Sequence, residues 1–139
     1  MKIHHGQATV KTEAPVSVQN VTEVVTREVG GSGITDGLAI VSVPHTTCGV
    51  CINEDEAGLR EDIRDMAQRL LSPLRGAAGF RHDRVDNNAQ AHLTSVLLGH
   101  SVSLSVKDGK LQMGGWQSVF LIEMDGPRSR TLHVQVLGE

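Results

Sequence analysis

A chain of 139 residues has room for one compact domain and no second core. Hydrophobic residues make up 39% of it but aromatics only 2% (Phe80, Trp116, Phe120), so Val, Leu, Ile and Ala must build the core. A net charge of -3, with no basic block and no set of stacking aromatics, disfavours nucleic acid and anionic membrane surfaces as partners. No apolar run approaches the ~20 residues of a membrane span, and no signal-peptide stretch opens the chain; a cytoplasmic protein is expected.

Gln7 to Glu13 alternates weakly and predicts an opening strand. Val16 to Val29 carries apolar residues at 18, 21, 24, 25 and 29, the spacing of a helix, and Gly30-Gly31-Ser32-Gly33 stops it. The unbroken run Leu38 to Val43 predicts a strand buried on both faces, with Pro44 ending it and His45 at its rim. After Asn53, a candidate N-cap followed by Glu54-Asp55-Glu56, apolar positions 59, 63, 66, 67, 70 and 71 make one helical stripe that Pro73 closes. Leu74 to Asn88 is a polar loop long enough to suggest function. A shorter helix follows over about Ala89 to Leu98, with Leu93, Val96 and Leu97 as its expected core face.

From Ser101 the period becomes two, with Val102, Leu104 and Val106 on one side. Asp108-Gly109 predicts a type I′ hairpin. Val119 to Ile122 is apolar on both faces, and Leu132, Val134 and Val136 mark a last strand. The Gly114-Gly115 pair predicts a bulge that turns Trp116 inward. The order implies an α+β fold with two to three helices and a mainly antiparallel sheet, twisted or partly closed, in one domain over residues 1–139.

Four sets of residues carry possible chemistry. His45 at a strand rim, His82 in the long loop and His92 in a helix could jointly hold Zn²⁺; equally, each could be a surface or satisfied core histidine. His4, His5, His100 and His133 read as structural or solvated. Glu123 and Asp125 could hold Mg²⁺ on a diphosphate while Arg128 grips its oxygens, or the segment is a solvated Asp-Gly-Pro turn. Glu54 is a candidate acid or base or simply part of a helix cap. Cys48-Gly49-Val50-Cys51 has redox-pair spacing, but extended geometry would send the two side chains to opposite faces as small buried hydrophobes.

The blocks His45-Thr46-Thr47, Ile52-Asn53-Glu54, Phe80-Arg81-His82-Asp83, Asn88-Ala89-Gln90-Ala91-His92-Leu93, Gly114-Gly115-Trp116-Gln117 and Glu123-Met124-Asp125-Gly126-Pro127-Arg128 occur in an order that resembles the YjbQ family, also called UPF0047, from about Gln7 to Gly138. The resemblance implies a homotrimer and a weak activity like that of a secondary thiamine-phosphate synthase, joining a pyrimidine diphosphate to a thiazole phosphate with loss of diphosphate. It adds weight to His45, His82 and His92 as metal ligands. It also supports Glu54, Asp83 and Glu123 as catalytic groups and Thr46, Thr47, Asn88, Asp125 and Arg128 as contacts to a small phosphorylated metabolite. The sequence departs from the usual family pattern at Gly115 and at the two cysteines. Other readings are a metal-dependent hydrolase of a phosphorylated or amide metabolite, and a non-enzymatic metal- or ligand-binding protein.

Overall fold

The alternating C-terminal strands recruit the N-terminus into their sheet. The computed structural model describes residues 1–139 and is an α+β fold of eight strands and three helices. One antiparallel sheet runs in the order β1 (Lys2–Lys11), β8 (Ser129–Gly138), β3 (Gly37–Ser42), β5 (Ser101–Lys107) and β6 (Lys110–Leu111). A second holds β2 (Ser17–Asn20), β7 (Gln117–Glu123) and β4 (Cys48–Glu54), again antiparallel. Asp108 and Gly109 take φ values of 52° and 70° between β5 and β6, the backbone a type I′ turn demands.

Inward residues of both sheets (Ala39, Val41, Val50, Val119, Leu121, Leu132, Val134) form the main core with Val25 and Val29 of α1 (Thr22–Gly31). A smaller cluster, Val18, Ala67, Ala91, Phe120, Ile122 and Met124, joins the other face of β7 to α2 (Ala57–Arg69) and α3 (Ala89–Leu98). β7 is therefore covered on both faces, as its unbroken apolar run predicts. No helix is long and apolar enough to cross a membrane.

Several elements differ from expectation. The first strand starts at Lys2, five residues earlier than predicted, because β8 offers it a continuous ladder from Gly138 to Ser129. The expected helix from Val16 is split: residues 17–20 pair with Phe120–Glu123 as β2, and only then does α1 begin. On β3, Ala39 and Val41 are buried but Leu38 and Ile40 only half so; its second face is open. Asn53 stays in β4, and Glu56 caps α2 by accepting from the Gly58 and Leu59 N–H groups at 2.9 and 2.7 Å. Trp116 faces solvent, 78% exposed, instead of turning inward.

The largest reversal is in α3. Its core face is Ala89, Ala91, Thr94 and Ser95, while Leu93, Val96 and Leu97 are exposed. Small residues face inward because the helix lies close against β4: a Cβ on Gly49 would stand 2.8 Å from Leu98 Cβ. Ser95 Oγ then donates to the Cys48 carbonyl at 2.7 Å, which fixes the helix and everything its first turn carries.

Candidate functional site

His45 occupies its place because β3 runs out. The β3–β8 ladder ends at Ser42 opposite His133, which leaves the Thr131 N–H of β8 without a strand partner. That N–H donates to His45 Nε2 at 2.7 Å, so an imidazole takes over where a backbone carbonyl would have stood. An accepting Nε2 puts the proton of the neutral ring on Nδ1. Burial, reinforced by the nearby Arg130 charge, holds the ring pKa below the usual 6.5, in keeping with a neutral acceptor.

The start of α3 supplies the facing wall. His92 packs edge-to-face on His82, with ring centroids 4.8 Å apart and planes at 81°. Asn88 donates its amide to Asp125 Oδ2 at 3.0 Å and to Asp86 Oδ2 at 3.3 Å. Its Oδ1 must then accept, and His82 Nε2 is the donor at 3.1 Å. Arg128 is folded back onto Asp125, with Nη2 to Oδ2 at 3.0 Å and Nε to the main-chain oxygen at 2.8 Å.

Beneath these groups lies a buried ion pair. Glu123 is fully buried and Arg130 5% exposed. Arg130 Nε donates to Glu123 Oε2 at 2.7 Å, and Nη2 donates to Glu123 Oε1 at 2.6 Å and to Thr47 Oγ1 at 2.8 Å. Glu123 also accepts from Thr12 Oγ1 at 2.8 Å and from the Met124 and Asp125 N–H groups, each at 2.9 Å. Burial alone would raise the Glu123 carboxyl, but the bonds from Arg130, Asp125 and Thr12 outweigh it and hold the pKa below 4.5.

Together, Pro44, His45, Thr46, Thr47, Asp86, Asn88, His92, Asp125, Arg128 and Arg130 enclose a cleft of about 350 Å³ in which Pro44 is the one apolar side chain. His45, Thr46 and His92 also border a neighbouring cleft of about 560 Å³, shared with Val43, Val96, Gly99 and His100. A further groove of about 550 Å³ lies between β2 and α2, but its Arg60 is spent on the Val18 carbonyl and Asp55.

The structure thus brings together His45, Thr46, Thr47, Asn88, His92, Asp125 and Arg128, with His82 packed behind His92. Glu54 and Asp83 are not in this cleft. Glu54 ends β4 opposite Gln117, and Asp83 Oδ1 accepts from the Ala89 N–H at 3.2 Å, tying down the start of α3. Glu123 lies under the cleft with its oxygens filled, so it positions Arg130 and Asp125 and is not a free acid, base or Mg²⁺ ligand. The three histidines share one region, and His45 Nε2 and His82 Nε2 are both hydrogen-bonded to protein groups; no three of the chain's His, Cys, Asp and Glu side chains stand together as a metal-ligand group. The carboxylates of Asp86 and Asp125, both held to one amide of Asn88, are the oxygen donors of the cleft that a hard cation would take. Cys48 and Cys51 are free thiols on opposite faces of β4, Cys48 within the main core cluster and Cys51 half-buried against the smaller one.

Sequence reasoning missed Arg130, Asp86, Thr12 and the nearness of His100. Arg130 left a trace: it has the inward parity of Leu132, Val134 and Val136, and a cation on a core face needs a buried partner.

The family model described as "UPF0047 protein YjbQ-like" matches residues 6–139. The chain belongs to this family. A UPF0047 protein from Archaeoglobus fulgidus is 44% identical over 131 residues, covering 94% of this chain and 99% of the relative. YugU of Bacillus subtilis, also a UPF0047 protein, is 30% identical over 132 residues, with 93% and 96% covered. Among solved structures, a YbjQ-like protein of unknown function from Sulfolobus solfataricus superimposes with a TM-score of 0.94 at 37% identity, covering 99% of both chains. A hypothetical protein from Aeropyrum pernix gives 0.91 at 42% identity, with 98% and 99% covered. The UPF0047 fold thus accounts for nearly the whole chain.

Proposed function

We propose that the polar cleft binds a small phosphorylated metabolite together with a divalent cation, and that the protein acts as a transferase resembling a secondary thiamine-phosphate synthase. The observation that carries the reading is the composition of the cleft: N–H and O–H donors and two carboxylates, with Pro44 as the one apolar side chain. His45 Nδ1–H and the Thr46 hydroxyl offer neutral donors to phosphate oxygens. With Arg130 neutralised by Glu123, Asp86 and Asp125 outweigh Arg128 by one negative charge. A bare dianion is therefore repelled, and a divalent cation reverses the sign.

When bound, Mg²⁺ held by Asp86 and Asp125 would neutralise charge on a departing diphosphate. In the synthase reaction a bond forms from the thiazole nitrogen to the carbon that carried the diphosphate, and diphosphate leaves with the bonding electrons. The task of the chain is to orient that leaving group and donate hydrogen bonds to it, with Arg128 released by Asp125 as the cation takes its place. The exposed stripe Leu93, Val96 and Leu97 supports assembly into a homotrimer, which sedimentation would test.

Calorimetry with diphosphate, inorganic phosphate and an uncharged analogue, each with and without Mg²⁺, tests the binding. Diphosphate should bind only with the cation. Equal binding of all three compounds, or no diphosphate binding with Mg²⁺, refutes the reading. Supplying both substrates should release diphosphate; binding without release would leave a ligand-binding protein.

A further inference from the structure

We infer that Arg130, and not the exposed Arg128, is the anchor for the anionic group; the inference rests on the anion-binding reading above and assigns the residue that decides it. A guanidinium has five N–H donors. Three are accounted for on Arg130: Nε–H on Glu123, and both Nη2 hydrogens on Glu123 and Thr47. The two that remain are both on Nη1. No buried side-chain nitrogen or oxygen lacks a partner, so Nη1, which bonds to no protein group, must reach solvent. Since the residue is otherwise buried and lines the polar cleft, Nη1 opens into that cleft.

The rest of the side chain is immobilised. Glu123 grips one edge of the guanidinium bidentately, and Glu123 is itself fixed by Thr12 and two backbone N–H groups. Thr47 holds the Nη2 corner. The outward N–H pair is therefore pre-oriented and loses almost no rotamer freedom on binding. Arg128 is the opposite case. It is 53% exposed on its side chain, and both its Nε and Nη2 are already committed to Asp125. To meet an anion it must break those bonds and order a solvated chain. Arg130 therefore sets the position and selectivity of anion binding, and Arg128 is a secondary contact.

The experiment uses the wild-type chain with ¹⁵N-labelled arginine and its side-chain resonances assigned through bonds to the backbone. Diphosphate is titrated with Mg²⁺ present, and calorimetry runs on the same samples. The Arg130 side-chain signals are expected to shift saturably with the calorimetric Kd. Calorimetric binding that moves only the Arg128 signals would overturn the assignment while leaving the anion-binding cleft standing. No calorimetric binding at all would remove both. Arg130→Lys and Arg128→Lys give a second readout. If Arg130→Lys folds, diphosphate affinity should fall at least about tenfold in it and less than about threefold in Arg128→Lys. The reverse order would count against Arg130. If Arg130→Lys does not fold, the wild-type resonances decide alone.

Discussion

Replacing Glu123 by Gln should be among the most damaging isosteric changes in the chain. The carboxylate accepts five hydrogen bonds, two of them from Arg130, at a position with no solvent exposure. Gln keeps one acceptor, which the Met124 and Asp125 N–H groups can retain. Its amide nitrogen then faces the Arg130 Nε–H, donor against donor, and Arg130 keeps a buried charge without a counter-charge. Breaking a buried ion pair from one side costs about 3–5 kcal/mol. For a chain of this length that lowers the melting temperature by roughly 10–15 °C. Urea unfolding followed by circular dichroism measures the loss. The double variant Glu123→Gln/Arg130→Met removes the stranded charge as well and should recover about 1–4 kcal/mol of it. A single variant costing under about 1 kcal/mol, or a double variant no better than the single, would show that the pair is not the clamp described here.

Four other outcomes follow from the same geometry. The folded-state pKa of His45 lies below 6.5, so its contribution to stability is complete above the unfolded value and is lost as pH falls through the folded one; an imidazole NMR titration with its midpoint above 6.5 would contradict this. Glu123 acts in the same sense at lower pH, its contribution present above about 4.5 and lost below, so Glu123→Gln should flatten the acid limb of a stability profile. Burial pushes the Cys48 thiol up to about 11, so at pH 8 its native thiolate should be roughly a hundredfold scarcer than for an ordinary thiol; unfolding without reductant should release two reactive thiols, and finding none would mean a disulfide. Gly49→Ala should push α3 off β4 at a cost of about 1–3 kcal/mol and shift the His92 resonances; an unchanged melting temperature and unchanged resonances would refute the close-approach argument.

How much was legible in the sequence depended on how local the deciding forces were. The Asp108-Gly109 turn needs only its own two residues, and the period-two strands need only their parity, so both were readable. Val16 and Val18 fit a helix or a strand equally well, and the pairing of Val18 with Ile122 across the chain decided for a strand. In α3 the rule that larger apolar residues face inward failed because Gly49 lets small ones dock more closely. The cleft residues His45, Asn88, Asp125 and Arg128 stood out as polar groups at element ends. Their division of labour did not, because Asp83 and Glu123 spend their oxygens on partners that only the folded chain brings near.

The clamp under the cleft also bears on the order of folding. It unites the residue that follows β1, the residue before β4, the end of β7 and the start of β8, through bonds that span 111 residues from Thr12 to Glu123 and 83 from Thr47 to Arg130. Contacts so distant in sequence form only after large loops close, and such closure slows folding. A chain still emerging from synthesis, with β8 unmade, has Glu123 but no Arg130 to meet it. The clamp therefore cannot form before β8 is made, and its appearance marks the point at which both ends have found the same sheet.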